Sequence, residues 1–125
     1  MIVVNNQSNT ISIFKNNCTN GVISFSQKVD YATGNQPRGL AVGDLDGDGK
    51  PDVAVINNGS RSVSIFINTS TPGNLSFAPQ VIFYTGYQSL PFQIAIGDLD
   101  GDGKPDLAIA DQNTASLRIL KNTSI

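Results

Sequence analysis

The chain has 125 residues, enough for one ordinary domain, is 39% hydrophobic and only 14% charged, and carries a net charge of −2. Its eight Lys and Arg are scattered without a basic run, which argues against nucleic acid as a partner. A single cysteine, Cys18, excludes an intrachain disulfide, and the absence of His removes any Ser-His pair or zinc site. No apolar run reaches the roughly 18 residues of a membrane span. Met1-Ile2-Val3-Val4-Asn5 lacks the basic and then apolar order of a signal peptide.

In chain order, the first apolar segments are Val3-Val4-Asn5-Asn6 and Ile11-Ser12-Ile13-Phe14, followed by Ser24-Phe25 and Tyr31-Ala32-Thr33-Gly34. Each returns 52 positions later, as Val55-Ile56-Asn57-Asn58, Val63-Ser64-Ile65-Phe66, Ser76-Phe77 and Phe83-Tyr84-Thr85-Gly86. The repeat continues at an offset of 54, where Val63–Ser70 aligns with Leu117–Ser124. Two extra residues before Pro91 account for the change and sit where insertion is cheap. β-branched residues in short runs, broken by Asn-Gly, Pro-Gly and Asn-Ser steps, predict strands and turns rather than helices.

One full unit then reads as strand A over Gly39–Gly43, strand B over Asp52–Asn57, strand C over Ser62–Asn68 and strand D over Leu75–Tyr84, with the next strand A beginning near Phe92. Four short strands per unit of about 50 residues is the pattern of a β-propeller blade. The expected fold is all-β, with four-stranded antiparallel blades: a partial blade B-C-D over residues 1–38, a full blade A-B-C-D over 39–84 and a partial blade A-B-C over 85–125. That makes about two and a half blades, where propellers typically have about four to eight. Three explanations stay open: a fragment of a longer protein, a protomer completing a ring with its copies, or an open stack. The remaining blades of a parent protein or homo-oligomer copies are thus expected partners. The strand C residues Ile11, Ile13, Val63, Ile65, Leu117 and Ile119 cannot all be covered within one chain, so the isolated chain is not expected to be a well-packed monomer.

The join between strands A and B carries the chemistry. Asp44-Leu45-Asp46-Gly47-Asp48-Gly49-Lys50-Pro51-Asp52 recurs unchanged as Asp98-Leu99-Asp100-Gly101-Asp102-Gly103-Lys104-Pro105-Asp106. All ten acidic residues are Asp, and eight of them lie in these two loops. Carboxylates so close repel one another unless a hard cation sits among them, and Ca²⁺ takes six to eight oxygens at roughly 2.3–2.6 Å in a flexible shell. Asp44, Asp46 and Asp48 alternate around one centre, Gly49 makes the sharp turn, Lys50 offers its carbonyl while its ammonium points to water, and Asp52 closes the shell. Asp98, Asp100, Asp102, Gly103, Lys104 and Asp106 take the same roles, giving two Ca²⁺ sites. An EF-hand is the first alternative, but it needs Glu at its twelfth position and flanking helices. Here that position holds Val55 or Ile109, between strand-like runs. Asp-Gly pairs that merely mark turns are the second, and they explain one pair rather than four carboxylates repeated in register.

Gly43–Val55 and its copy Gly97–Ile109 resemble the FG-GAP/VCBS repeat family, the calcium-loop propeller blades also found in the integrin α-subunit head. The resemblance spans nearly the whole chain and implies Ca²⁺ held by the Asp side chains and seventh-position carbonyls between strands A and B. The family's Phe-Gly and Gly-Ala-Pro signatures are replaced by Pro37-Arg38-Gly39 and Pro91-Phe92-Gln93. The implied function is a non-catalytic, extracellular or cell-surface module for protein or carbohydrate binding and adhesion. The alternatives are a pure spacer and an accessory propeller segment of a secreted polysaccharide-degrading enzyme. For catalysis only Asp30 and Asp111 lie outside the loops, so no catalytic role is expected. Tyr31, Phe83, Tyr84 and Tyr87 are expected to pack between blades rather than to stack on sugars, Arg38 and Arg61 to be solvated, and Cys18 to be partly buried.

Overall fold

The computed structural model describes residues 1–124, and within them each expected strand has a counterpart, two of them over part of the expected length. The strands are β1 (Ile2–Asn5), β2 (Thr10–Ile13), β3 (Val29–Ala32), β4 (Pro37–Gly43), β5 (Asp52–Asn57), β6 (Ser62–Phe66), β7 (Val81–Tyr84), β8 (Pro91–Gly97), β9 (Asp106–Asp111) and β10 (Ser116–Leu120). They form three antiparallel sheets, ordered β1-β2-β3, β4-β5-β6-β7 and β10-β9-β8. These are propeller blades: a B-C-D blade, a complete blade and an A-B-C blade. Among the described residues no helix is long and apolar enough to cross a membrane.

Strand boundaries differ from the sequence reading in three places. β4 opens at Pro37 rather than Gly39, with a bulge between the two, and β8 repeats this at Pro91 and Gln93. Strand C ends at Phe66 instead of Asn68, and strand D is regular only from Val81. The segment before it is held by single bridges, Asn68 to Phe77 and Thr71 to Asn74. The first blade breaks its strand D at the same place, with single bridges Asn16 to Phe25 and Thr19 to Val22 before the regular stretch from Val29, so the break belongs to the repeat.

The core lies between blades. Ile11 and Ile13 of the first blade meet Val53, Val55 and Phe66 of the second, with Tyr31, Leu75 and Phe77 packed around them. On the other face of the same sheet Ala54, Ile56, Val63 and Ile65 meet Leu107 and Ile109 of the third blade. β5 and β6 are therefore buried on both faces, which is why β5 reads as a continuous apolar run over Val53–Ile56, while β6 buries Ser62 and Ser64 between its apolar residues. Strands A approach most closely: a Cβ on Gly43 would lie 2.9 Å from Ile96 Cγ2, whereas the equivalent Gly97 faces nothing within 4 Å.

The outer faces show what a neighbouring blade does. Ile65 is buried, but the equivalent Ile119 is 47% exposed and Leu117 66% exposed. Ile65→Val is expected to cost about 0.5–1.5 kcal/mol. Ile119→Val, the same change at the same place in the repeat, should stay within about 0.5 kcal/mol. Urea unfolding of both variants checks this, and equal losses would mean that the third blade's outer face is covered in solution.

Two residue-level expectations change. Tyr31 does pack between blades, edge-on to Phe66 and Phe77, but Phe83, Tyr84 and Tyr87 are exposed. Cys18 is exposed as well, because it occupies a surface turn where its amide donates to Asn16 and its thiol contacts Ser24.

Candidate metal centre

Each Asp loop connects strand A to strand B at one end of a blade, and its shape is set by its own carboxylates. Asp44 Oδ1 accepts from the Gly47 amide at 2.8 Å and Oδ2 from the Gly49 amide at 2.9 Å. Asp46 and Asp48 each accept from the amide two residues on, at 3.1 and 2.8 Å. The turn passes through Gly49 at φ 84°, a left-handed conformation that a side chain would strain. The second loop repeats the pattern: Asp98 takes the Gly101 and Gly103 amides at 2.7 and 2.9 Å, and Gly103 has φ 83°.

This winding gathers carboxylates. Oxygens of Asp44, Asp46 and Asp48 lie within 4.8 Å of one another, as do those of Asp98, Asp100 and Asp106. These all-oxygen clusters fit a hard cation rather than a thiophilic or imidazole-seeking one. Of the ten residues assigned to metal from sequence, six thus stand in two groups. Asp102 stands beside its group, with Lys121 Nζ 3.4 Å away.

Asp52 and Asp106 do a second job that the spacing does not reveal. Asp52 is fully buried. Its Oδ2 accepts from the Leu45 amide at 2.7 Å and its Oδ1 from the Asn68 amide at 2.7 Å. It therefore ties the start of the loop to the end of strand C. Asp106 binds the Leu99 and Asn122 amides in the same way, at 3.0 and 2.8 Å. An ionised carboxylate has about four lone-pair sites, so these bonds leave room for a cation at either residue.

The lysine ammonium groups are at the exposed surface, and there they find partners: Lys50 Nζ lies 2.5 Å from Asp48 Oδ2 and Lys104 Nζ donates to the Ser124 carbonyl. Lys121 pairs with Asp100. A dense set of carboxylates draws in the nearest ammonium. The Lys50 hydrogen bond holds the Asp48 carboxyl below its usual range, and Lys121 does the same for Asp100. The two lysines are in turn held protonated to higher pH.

Two supports were missed by sequence reasoning. Leu45 is buried in the core between the second and third blades and anchors its loop, while Leu99, with no blade beyond it, is exposed. Asn68 Nδ2 donates to the Pro51 carbonyl, and Asn122 Nδ2 reaches across blades to the Leu45 carbonyl at 2.8 Å. The repeated Asn-Thr-Ser after strand C was the available signal.

Asp30 and Asp111, outside the loops, are both engaged. Asp30 accepts from Ser12 Oγ at 2.6 Å and pairs with Lys28 at 2.7 Å. Asp111 replaces the Asn5 and Asn57 of the other blades and is only 4% exposed. It accepts from the Ser89 hydroxyl and from the Leu90, Asn113 and Thr114 amides. Burial pushes the Asp111 carboxyl up, but these donors outweigh it and leave its pKa well below the usual range. A depressed folded pKa gives stability that is complete above the unfolded value and lost as pH falls through the folded one. Acidification from pH 5 to pH 2 in chelator should therefore remove stability that Asp111→Asn has already lost. That variant is expected to cost on the order of 1.5–3 kcal/mol at neutral pH and to flatten the acid limb of denaturant midpoints against pH. Parallel acid limbs for the two proteins would refute the assignment.

No curated protein and no solved structure matches the chain. A family model described as an FG-GAP-like repeat matches residues 1–55 and again residues 44–109. With both matches centred on the blades and loops described above, the chain belongs to the FG-GAP-like repeat family.

Proposed function

We infer that this β-propeller repeat module is a calcium-stabilised, non-catalytic binding module that works outside the cell or at its surface, in adhesion to a protein or carbohydrate. The observation that carries the reading is the pair of identical loops whose amides fix three carboxylates within 4.8 Å in each copy. Asp44, Asp46, Asp48, the Lys50 carbonyl and Asp52 would hold one Ca²⁺. Asp98, Asp100, Asp102, the Lys104 carbonyl and Asp106 would hold the other. Extracellular calcium modules work at Kd values of about 10⁻⁴–10⁻³ M, which an exposed loop of this kind suits. Engagement of Asp30 and Asp111 by structural donors supports a non-catalytic role. Further blades, from a parent protein or from copies of the chain, would cover the outer blade faces.

Recognition would use the blade ends opposite the Asp loops. There Tyr87 is 87% exposed with the Arg61 guanidinium 5.1 Å from its ring centroid, and Arg38 lies 5.3 Å from that of Phe92. Aromatic rings beside arginines suit the faces of sugar rings, or a peptide, better than a lipid surface. This placement also keeps alive the accessory role in a secreted polysaccharide-degrading enzyme.

Titration calorimetry tests the metal assignment. Asp46→Ala is expected to abolish the first site and leave the second within about twofold, and Asp100→Ala the reverse, because the loops stand in different blades. Loss of both sites from either change would mean one shared cluster.

A further inference from the structure

The repeat is broken at one joint. Between the first and second blades Gly34 and Pro37 enclose Asn35-Gln36, whereas between the second and third Gly86 and Pro91 enclose Tyr87-Gln88-Ser89-Leu90. The facing pair changes with the loop. Asn57 and Ser64, joined by a 2.8 Å hydrogen bond, stand at the first joint, and Asp111 and Arg118 take their places at the second. The first joint is shut: a Cβ on Gly34 would lie 2.8 Å from the Asn57 side chain. The second is loose: a Cβ on Gly86 would meet nothing within 4 Å except the tip of Arg118, with Nη2 at 3.8 Å.

Arg118 has donors to spare. Its Nε is buried without a hydrogen-bond partner, 3.6 Å from Asp111 Oδ2, and among the described residues Asp111 is its one ionic partner. Asp111 is already engaged by the Ser89 hydroxyl and by three amides, so it offsets the guanidinium charge while leaving the donors open. Two consecutive loop residues thus meet a guanidinium each. Arg118 reaches Gly86, and Arg61 lies over the ring of Tyr87, which stays 87% exposed. Charge is sorted along the blades in the same sense. Eight of the ten Asp lie in the loops at the far end, whereas the contacts of Arg38, Arg61 and Arg118 with Phe92, Tyr87 and Gly86 place all three arginines at this one.

We propose that this joint is a subsite for an acidic sugar residue, with Arg118 pairing its carboxylate or sulfate group and Tyr87 stacking on its ring. The proposal rests on the reading that recognition uses these blade ends, and it names the ligand class. The planar guanidinium of Arg118 matches two oxygens of either group in a bidentate pair. The exposed Tyr87 ring supplies the apolar surface that a pyranose face covers and that an acidic peptide side chain would leave bare. Arg61 adds a second positive charge beside that ring, which favours an anion over a neutral sugar.

The full chain is titrated in millimolar calcium with four probes and read by NMR: a hyaluronan hexasaccharide, charged by carboxylates alone; a κ-carrageenan hexasaccharide, charged by sulfates alone; neutral cellohexaose; and hexaglutamate. Saturable binding of at least one acidic saccharide is expected, shifting the amides of Gly86, Tyr87 and Arg118, and the one that binds identifies the group. Arg118→Gln should weaken binding about tenfold or more, and Arg118→Lys should recover only part of the loss, because an ammonium cannot pair bidentately. Arg118 also touches Asp111, so Tyr87→Ala is the second variant: that side chain lies outside the core, and its loss should weaken binding about three- to tenfold. Silence of both acidic saccharides would overturn the proposal, and so would binding indifferent to both changes. Tighter binding of hexaglutamate would give the joint to an acidic protein segment and overturn it. Cellohexaose bound through Tyr87 but indifferent to Arg118→Gln would overturn the acidic subsite while leaving recognition at the blade ends standing. Shifts confined to the Asp loops would overturn both.

Discussion

Asp52→Ala, measured with chelator present, is expected to cost about 2–6 kcal/mol, from two buried amides that lose their acceptor at about 1–3 kcal/mol each. Both amides, of Leu45 and Asn68, are buried where water cannot replace the carboxylate. The chelator is what makes the experiment decisive. A residue that serves only as a metal ligand has nothing left to lose once the metal is gone, and its removal would even relieve repulsion within the loop. A residue that ties strand A to the end of strand C loses those ties with or without metal. Asp52→Asn should fall between wild type and Asp52→Ala, because its amide nitrogen cannot accept and one of the two bonds goes. Asp106→Ala should cost less than Asp52→Ala, since the Leu99 and Asn122 amides are only partly buried. Denaturant unfolding in chelator that shows Asp52→Ala within about 0.5 kcal/mol of wild type would overturn the structural role.

That double role shows where the sequence was readable and where it was not. Strand identity and order were legible because the repeat gives each segment two or three independent copies, and a pattern such as Val63, Ile65 against Ile11, Ile13 and Leu117, Ile119 fixes the register of each strand C. The loops were legible because Asp-rich spacing has few physical purposes. The partners of Asp52 were not, because the Asn68 amide reaches it only after strands B and C have paired. The Lys121 contact was not legible for a similar reason: Lys121, just past the end of β10, meets Asp100 through folding alone. Tyr31 and Phe83 occupy one position in the repeat and have opposite fates, set by whether Phe77 or an open groove lies beside them. Local pattern names the position, and the neighbouring blade decides its burial.

Calcium should raise stability by more than any single substitution discussed here except the loss of Asp52. A ligand that binds only the native state adds RT ln(1 + [L]/Kd), about 2.7 kcal/mol per site at a concentration about 100 times Kd. With two independent loops the expected total is about 5 kcal/mol, and the melting temperature should rise with calcium concentration without reaching a plateau near stoichiometry. The loops are already wound by their own amides, so little chain ordering opposes binding; what opposes it is carboxylate repulsion and the lysines on Asp48 and Asp100. Calcium must displace those ammonium groups. Lys121→Met should therefore tighten the second site rather than weaken it, while Asp100→Ala removes it. Mg²⁺ should substitute poorly, because it demands a small octahedron and gives up its water reluctantly. Scanning calorimetry in chelator, in Mg²⁺ and across a calcium series separates these outcomes. Equal melting temperatures in chelator and in millimolar calcium would remove the metal from the account and leave the loops as Asp-capped turns. A gain that survives intact in the Asp46→Ala, Asp100→Ala double variant would place the calcium elsewhere on the chain.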